Sequence, residues 1–463
     1  MKDNNELSNQ HLVRKLMWFL LLVYVAEGVG QVGGLVSQPL TYFLKTALGW
    51  NADRVTEYLA ILTFPWVIKP IYGLISDNIP LFGYRHKTYL ILANAMACVG
   101  YLWLVGISDP TQIILGLSLT AVGMAASSTI SGAVMVKGGK TLGHTGKFVG
   151  QQWLWFSLAG IVTSLAGGWL CQYTSPASAF HTAALIAAFA PVGVLFGAWF
   201  LIHEERVQKS TDATAGGART INKEKLVAAA KKHSVWLIVG VVSVTASALY
   251  ARDLTVWVIA TLLTLWSLAV LRSKTMWIVA GFIAFWNFSP GFGTPLYYYM
   301  TDTLHFNQMF IGTLGMWSNI GSAAGAAMFM FWLNGRVSLK ALIYWSIAIG
   351  TAAQFCHVWI SSPASAVILT LLSSVAAQVA TLTTLTLAAH ACPDDAEGFS
   401  YAALMSVFNL AAQGSAVLGS WMYVHTFSEH LIPLIWVSSA FTAACVVLVP
   451  LLPKSTLARP AQK

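Results

Sequence analysis

Long apolar segments, separated by short polar ones, make up most of this chain. Apolar runs of roughly 18 or more residues are long enough to cross a lipid bilayer as helices. The pattern therefore predicts an all-α polytopic membrane protein. The predicted spans are 17–44, 55–76, 88–107, 111–136, 147–170 and 178–202 in the first part, and 235–251, 254–272, 276–300, 309–333, 339–360, 364–389, 399–424 and 431–452 in the second.

The second part of the chain repeats the first. The segment 39–51, PLTYFLKTALGWN, aligns with 295–307, PLYYYMTDTLHFN, at a constant offset of 256 residues. A weaker echo at an offset of 252 residues places Phe156 over Phe408. Two six-helix halves in parallel repeat are the architecture of the major facilitator fold, whose solute site lies between the halves. The repeat therefore predicts that fold.

Two extra apolar segments lie between the predicted halves. We divide the chain into an N-terminal six-helix half (1–203), a cytoplasmic linker (204–233), an inserted transmembrane hairpin (234–274) and a C-terminal six-helix half (275–463). If only one hairpin segment crossed the membrane, the basic C-terminus would fall outside, against the usual charge bias. About fourteen transmembrane helices are therefore expected. The alternative is a hairpin that lies on the membrane surface.

Composition agrees with this class, and charge sets the orientation. The chain is 57% hydrophobic and 9% charged, whereas soluble proteins carry about 25% charged residues. Nearly all of the 26 Lys and Arg fall in loops on one predicted side; Lys45, Arg54 and Arg252 fall on the other, and Lys69 lies within a span. This pattern predicts cytoplasmic N- and C-termini in a cell membrane. The net charge of +9 then reports attraction to the lipid bilayer, with no nucleic-acid partner.

Residue types suited to catalysis or metal binding are not grouped in the sequence. The 5 cysteines are scattered, without the spacing of a disulfide framework or a metal site. No HExxH or GxSxG motif occurs, and the phosphate-loop mimics ending at Lys140 and Lys147 have the wrong spacing or lack Ser/Thr. The sequence therefore predicts no enzyme activity, no cofactor and no metal. It favours a monomer that moves a small-molecule solute.

Two charged residues lie within predicted spans. A charge in hydrocarbon is costly unless it is paired or faces water, so such residues are functional candidates. Glu27 and Lys69 lie at similar depths in the first and second spans, so an ion pair is geometrically feasible. We expect Glu27 to carry a coupling proton and Lys69 to hold an anionic solute or tune Glu27. The alternative is a pair that only locks two helices together.

Uncharged polar residues mark the expected solute cavity. Gln31 aligns with Asn287 in the repeat, and Glu27, Gln31 and Gln38 fall on one face of a continuous helix. The segment 287–295, NFSPGFGTP, is dense in helix breakers, which are tolerated at membrane depth where protein or water satisfies the backbone. Kinks or hydrogen bonds between helices are the alternative explanation. The expected solute contacts are Lys69, Gln31, Asn287, Ser289, Asn409 and Gln413.

Three segments resemble the folate–biopterin transporter family, a branch of the major facilitators. The segment 68–85, IKPIYGLISDNIPLFGYR, is similar to the signature loop of that family. The segment 390–409 is similar to the region between its tenth and eleventh core helices, and 286–290 fits its seventh. The resemblance covers both predicted halves but not the hairpin.

The resemblance implies a carrier for folate- or pteridine-type anions that works by alternating access with proton symport. It also implies that Gly73, Asp77 and Arg85 form a cytoplasmic gate, whose charge-assisted bonds break when the cavity opens. The fourth helix of that family usually carries acidic residues, whereas 127–137 contains none. A permease of the same fold for another solute, such as muropeptides, and a non-transporting membrane sensor therefore stay open as alternatives.

Overall fold

The computed structural model consists of helices joined by short loops. Within the described residues there is no β-strand beyond an isolated bridge between Leu81 and Tyr84. The predicted all-α class is therefore confirmed for this part of the chain. The structure describes residues 2–31, 33–142, 145–202, 204, 242–243, 255–271, 273–334, 336–393 and 397–457.

Helices fall on both sides of the predicted linker. Those before it are α1 (Lys2–Gly30), α2 (Ser37–Tyr42), α3 (Ala52–Ile61), α4 (Phe64–Val67), α5 (Lys69–Asn78), α6 (Lys87–Trp103), α7 (Pro110–Leu142), α8 (Thr145–Tyr173), α9 (Pro176–Ala187) and α10 (Phe189–Phe200). Those after it are α11 (Thr255–Leu271), α12 (Lys274–Asn287), α13 (Gly293–Tyr298), α14 (Gln308–Met328), α15 (Leu339–Cys356), α16 (Pro363–Ala391), α17 (Glu397–Trp421), α18 (Leu431–Ala444) and α19 (Lys454–Leu457). Tighter or wider helical turns extend several of these, at Phe43–Ala47, Tyr299–Thr303, Phe329–Leu333, His357–Trp359, Met422–Thr426 and Cys445–Leu451.

Several helices have the length and apolar composition of membrane spans, which makes this a multi-pass membrane protein. Other predicted spans are present as interrupted helices. Of the predicted hairpin, α11 matches the second segment, and 235–251 lies outside the described residues except for 242–243. The count of about fourteen helices stays a prediction. The 7 described segments that meet the span criterion are Pro110–Met135, Gln152–Tyr173, Pro176–Phe200, Leu339–Trp359, Pro363–Ala391, Phe399–Thr426 and Leu431–Leu451.

The 256-residue repeat is visible in the helix boundaries. Helix α2 and the wide turn after it, Phe43–Ala47, correspond residue for residue to α13 and its wide turn, Tyr299–Thr303. Asn51 and Asn307 precede α3 and α14, and Asn307 Oδ1 accepts a hydrogen bond from the Phe310 N–H at 2.8 Å, as a helix N-cap does. Equivalent sequence has therefore produced equivalent local structure in both parts of the chain.

The first predicted span is two helices, because glycine lets the chain turn sharply between α1 and α2. The Leu35 N–H donates to the Val29 carbonyl at 3.0 Å, and a Cβ on Gly34 would collide with that carbonyl oxygen. Glycine lacks the atom that would clash. Glu27 and Gln38 therefore lie on different helices, and the expectation of one continuous polar face is wrong.

The second predicted span is interrupted between α4 and α5, because proline removes a backbone donor. Pro70 has no N–H, so the Trp66 carbonyl four residues earlier has no partner within the helix. The Ile71 N–H bonds to the Ile68 carbonyl at 2.9 Å, which leaves the Val67 carbonyl free of its usual helical partner as well. Two carbonyls inside this span are thereby open to side chains of another helix.

Small residues bring α8 and α14 into backbone contact. A Cβ on Gly168 would lie only 2.8 Å from Gly312 Cα, and one on Gly160 would collide with Asn319. Asn319 Nδ2 also donates to Ser164 Oγ at 3.3 Å. Contacts between small residues are a common means of helix association in membranes. Because α8 belongs to the first predicted half and α14 to the second, this packing joins the two.

The loops at one end of the bundle also join the two predicted halves. Lys45 forms a salt bridge with Asp302, and His425 Nε2 lies 2.9 Å from Asp53 Oδ2. We call this the Lys45 end. The opposite end, where α5 is followed by α6 and α10 is followed by Glu204, is called the Glu204 end.

Candidate functional site

A buried carboxylate lies on α1, in contact with α7. Glu27 is 9% exposed. The Ser128 hydroxyl donates to Glu27 Oε1 at 3.1 Å, while Glu27 Oε2 has no hydrogen-bond partner among the described residues. A buried polar atom without a partner carries a free-energy cost that native proteins usually avoid. This oxygen is the atom at which the carboxyl can take up and release a proton.

Within the described part of the chain, Lys69 lies near Glu27 without a hydrogen bond to it. The two charges interact electrostatically, and Lys69 Nζ lies 4.3 Å from the centroid of the Trp66 ring. Such a position over an aromatic face is a cation–π contact. Glu27 and Lys69 are therefore neighbouring charges, but within the described residues they form no salt bridge. The N–H groups of the Lys69 ammonium can then donate to another partner.

The carbonyls freed by Pro70 bind side chains of α17. Asn409 Nδ2 donates to the Trp66 carbonyl at 3.2 Å, and the Ser406 hydroxyl donates to the Val67 carbonyl. Trp66 thus contacts Lys69 with its ring and Asn409 with its backbone. Two of the predicted solute contacts, Lys69 and Asn409, are brought together where the two predicted halves meet.

Asn287 and Ser289 stand at the break between α12 and α13. Asn287 is the last residue of α12 and donates from Nδ2 to the Ile283 carbonyl at 2.8 Å. Ser289 is buried in the break itself. Both residues line a cavity of about 420 Å³ between helices of the second half. The interruption expected within 287–295 is therefore present, and it borders open space.

Gln31 and Gln413 are both half-buried. Gln31 is the first residue after α1, and its N–H donates to the Glu27 carbonyl at 3.2 Å. Gln413 lies one turn after Asn409 on α17. Gln31 and Asn287, which align in the repeat, each stand where a helix is interrupted. Their contact with a solute stays a prediction.

A carboxylate at the start of the predicted linker binds the backbone of the predicted gate region. Glu204 accepts hydrogen bonds from the backbone N–H groups of Arg85, His86 and Lys87 at 3.0, 3.1 and 2.8 Å. These N–H groups lie at the start of α6, where no preceding turn of the helix supplies carbonyls for them and where the helix dipole also favours negative charge. Burial acts to raise the pKa of Glu204, but the bonds from His86 and the backbone outweigh it and lower the pKa to about 2.

The other gate residues are only partly described. Gly73 lies on α5, and a Cβ there would meet Thr129 at an ordinary 3.9 Å, so this glycine is not forced by packing. The side chain of Asp77 lies outside the described residues, and the predicted contact between Asp77 and Arg85 stays a prediction. Sequence reasoning missed Glu204, although an acidic residue after a span is a suitable helix cap.

The Lys45 end holds contacts that sequence reasoning did not find. Besides its bond to Asp302, Lys45 Nζ lies 4.5 Å from the centroid of the Tyr298 ring. Gln38 Nε2 donates to the Gln308 carbonyl at 2.8 Å. Each contact joins the first predicted half to the second. The two predicted halves are therefore held together at this end.

The chain is similar to transporters along most of its length. The sequence profile of the BT1 family matches residues 28–459. The folate-biopterin transporter of Synechocystis sp. is 26% identical over 459 residues, which cover 94% of this chain and 82% of the relative. Folate transporter 1 of Plasmodium falciparum is 21% identical over 416 residues, which cover 86% of this chain and 71% of the relative.

Solved structures show the same fold. The POT family transporter PepTSo superposes with a TM-score of 0.67 at 14% identity, covering 96% of this chain and 98% of that one. A D-xylose-proton symporter superposes with a TM-score of 0.62 at 12% identity, covering 97% and 98%. At these identities the likeness establishes the fold alone, which is the predicted major facilitator type.

Proposed function

The chain belongs to the BT1 family, and from that premise we propose that it is a secondary active transporter of folate- or pterin-type anions. Both relatives described above carry folate in their names, and each matches this chain along most of its length. The family agrees with the resemblance carried by the 68–85 segment. The muropeptide permease and the membrane sensor are the functions that this proposal displaces.

The geometry around Lys69 supports an anionic, aromatic solute. A folate-type molecule carries carboxylates and a flat ring. Lys69 offers an ammonium group, and the neighbouring Trp66 offers an aromatic face. Asn409 lies against the same tryptophan from the second half. A solute bound here would contact both halves, as alternating access requires.

We assign the coupling proton to Glu27. When Glu27 is ionised, it attracts the Lys69 ammonium, which competes with an anionic solute for the same charge. When Oε2 takes a proton, that attraction ends and Lys69 is free to bind the anion. Release of the proton restores the attraction and displaces the solute. Proton and anion therefore travel together in this scheme.

Alternating access follows from the two ends of the bundle. The contacts of Lys45 and Gln38 close the Lys45 end, and these must break for the cavity to open there. The distribution of Lys and Arg places the Lys45 end outside and the Glu204 end in the cytoplasm. On this orientation the structure is closed to the outside.

Uptake into proteoliposomes tests the proposal. Labelled folate and biopterin are offered to the purified protein with and without an inward proton gradient. We expect uptake of folate that rises with the gradient and is absent from protein-free vesicles. Uptake of neither compound by folded protein would overturn the proposed solute class, and uptake of a labelled muropeptide would then identify the alternative.

A further inference from the structure

Four oxygen-bearing residues converge at the break between α12 and α13. The Ser289 hydroxyl donates to the Ser438 carbonyl at 2.9 Å and lies 3.1 Å from Ser438 Oγ. Thr442 Oγ1 lies 3.0 Å from Ser289 Oγ and 2.9 Å from Gln354 Oε1. Ser438 Oγ lies 3.4 Å from the same Gln354 oxygen. We call Ser289, Gln354, Ser438 and Thr442 the oxygen cluster; they come from the break, α15 and α18.

The oxygen cluster differs from ordinary hydroxyls in membrane helices. Such hydroxyls usually bond to the carbonyl of their own helix one turn back, as Thr383 and Thr386 do at 2.8 and 2.7 Å. In the cluster, hydroxyls of the break and of α18 instead bond to one another and to the amide oxygen of Gln354 on α15. Ser289, Ser438 and Thr442 are 8%, 1% and 3% exposed. The arrangement therefore concentrates oxygen atoms where simple packing does not require them.

The backbone adds to this concentration of negative potential. Helix α12 ends at Asn287, directly before the cluster, and the C-terminal end of a helix carries partial negative charge and free carbonyls. The break is held in place by α17, because the Ser415 hydroxyl donates to the Ser289 carbonyl and the Gly291 N–H donates to the Ser415 carbonyl at 2.9 Å. The backbone of the break is therefore fixed in position.

The cluster borders the cavity of about 420 Å³ described above. The described residues that line this cavity include His357 but no Asp, Glu, Lys or Arg. A neutral site built from oxygens suits a monovalent cation better than a divalent one, because the described lining has no carboxylate to balance a second positive charge. The cavity gives an ion room to enter.

We propose that the oxygen cluster binds Na⁺. Oxygen-only ligands select hard cations. In secondary transporters, unwound backbone and the C-terminal ends of broken helices are typical places for Na⁺. A hard cation held roughly 2.4 Å from six oxygens keeps neighbouring oxygens about 3.4 Å apart. The separations of 2.9 to 3.4 Å in the cluster lie at or just below that spacing, so small side-chain rotations admit the ion.

The repeat shows that the cluster is particular to the second half. At the offset of 256 residues, Gly33 occupies the position equivalent to Ser289, and it has no side chain to contribute. The cluster is therefore not required by the fold itself. Cation binding also does not depend on the proposed function; only a link between Na⁺ and solute transport would rest on it.

Equilibrium binding of radioactive Na⁺ to the purified full chain tests the proposal, with choline replacing Na⁺ at constant ionic strength. We expect saturable binding that unlabelled Na⁺ displaces and choline does not. Ser289→Ala and Thr442→Val each remove a ligand and should weaken binding by roughly tenfold or more, as losses at metal sites do. The matched control is Thr386→Val, which removes a hydroxyl from α16 outside the cluster and should bind Na⁺ like the original protein.

A variant that binds Na⁺ more tightly is also informative, because a loss of binding can result from misfolding whereas a gain cannot. Gln354→Glu keeps the shape of the side chain and adds a negative charge, so it should bind Na⁺ more tightly and gain affinity for Ca²⁺. Absence of saturable Na⁺ binding in folded protein would overturn the proposal, as would unchanged binding in all three cluster variants. Proton-driven folate uptake without Na⁺ binding would leave the proposed function intact, whereas Na⁺ binding without any folate or biopterin uptake would leave only the cation site.

Discussion

One glutamate and its neighbours carry the chemistry proposed for this protein. Glu27 is fixed on one oxygen by Ser128 and left free on the other. Lys69 interacts electrostatically with Glu27 and forms a cation–π contact with the Trp66 ring. A carboxyl that changes its charge next to a cation can control whether that cation binds an anion. At the scale of residues, the proposed coupling is thus a competition between the Glu27 carboxylate and the solute anion for the Lys69 ammonium group.

The first prediction concerns the proton. Glu27→Gln keeps the size and the Ser128 contact but cannot change its charge, so it should abolish uphill folate uptake while leaving counterflow exchange. The measurement is gradient-driven uptake compared with exchange in the same vesicles. Glu429→Gln, which removes an exposed carboxylate at the Lys45 end, is the control and should behave normally. Uphill uptake by the Glu27 variant would show that this residue does not carry the proton.

A second prediction concerns the anion. Lys69→Gln removes one charge-assisted contact and should raise the KM for folate by roughly tenfold to a hundredfold. The KM for biopterin, which lacks the glutamate carboxylates, should change much less. Lys274→Gln removes an exposed charge at the Glu204 end and serves as the control. Equal losses for folate and biopterin would mean that Lys69 supports the structure and does not recognise the carboxylates.

Sequence reasoning found some of these residues and missed others for a physical reason. Glu27 and Lys69 stand out because a charge in an apolar run needs an explanation. Ser128 does not, since a serine in such a run usually satisfies its own helix. The contact between Asn409 and the Trp66 carbonyl joins residues far apart in the chain. Only Pro70 hinted that this carbonyl would need a partner.

Among the elements, the interrupted helices carry most of the candidate site residues. Helix α1 ends at Gly30, after Glu27 and directly before Gln31, where the turn that includes Gly34 begins. The break before α13 places the Ser289 carbonyl where the Ser415 hydroxyl of α17 donates to it. Pro70 frees the carbonyls that bind α17. In each case a backbone that leaves the helical path places polar groups inside a span, where regular helices offer none.

The start of α6 provides a prediction about stability and pH. Glu204→Gln should lower the free energy of unfolding by about 1–3 kcal/mol at pH 7, because a charged acceptor at three backbone N–H groups is lost. Because folding lowers the pKa from the ordinary 4.5 to about 2, this contribution is complete above pH 4.5. It is lost as the pH falls from there towards 2.

Thermal unfolding in detergent at several pH values checks this expectation. The difference in Tm between the original protein and Glu204→Gln should be largest at pH 7 and shrink below pH 4.5. Glu429→Gln, whose side chain is exposed, should show no such trend. A Tm difference that stays constant over the acid range would contradict the assigned role of the Glu204 charge.

Apolar periodicity predicted the elements better than their limits. The largest differences lie at the first predicted span, 17–44. Its helix α1 already starts at Lys2, and a turn at Gly34 divides the span into α1 and α2. Run length alone marks a span, and it passes over a turn whose residues are themselves small and apolar. The break before α13 was predicted because serine, proline and glycine come together there. Proline together with serine and glycine thus revealed an interruption, whereas the pair Gly33 and Gly34 did not.

At the scale of the whole molecule, the two predicted halves are in contact along several helices and at the Lys45 end. Backbone contact at Gly168 and Gly312 joins them along α8 and α14. The contacts at the Lys45 end also join the two predicted halves. The repeat at 256 residues made the fold predictable, whereas the closing contacts were not, because an exposed lysine, aspartate or tyrosine in a loop gives no sign of its partner. Conformational change in such a fold means that one set of these contacts opens.

Reversal of charge at the Lys45 end tests this closure. Lys45→Asp places two negative groups together and should shift the population towards an open Lys45 end. Spin labels on cysteines at the exposed Thr46 and Thr303 measure the separation, which should lengthen in the variant. Adding Asp302→Lys to Lys45→Asp restores the pair with its signs exchanged and should restore the shorter distance. An unchanged distance distribution in Lys45→Asp would show that the pair does not hold the end closed.

The salt bridge of Lys45 has no equivalent at the positions related to it by the repeat. An axis of twofold pseudosymmetry exchanges position 45 with 301 and position 46 with 302, so the Lys45–Asp302 pair has an equivalent between Thr301 and Thr46. Those two threonines carry no charge. One exposed ion pair is worth about 1 kcal/mol or less, and a symmetric pair would have added a second contribution of that size to the other contacts at this end. The ion-pair contribution at the Lys45 end is therefore asymmetric, and in the proposed transport cycle it is weak enough to break and form again.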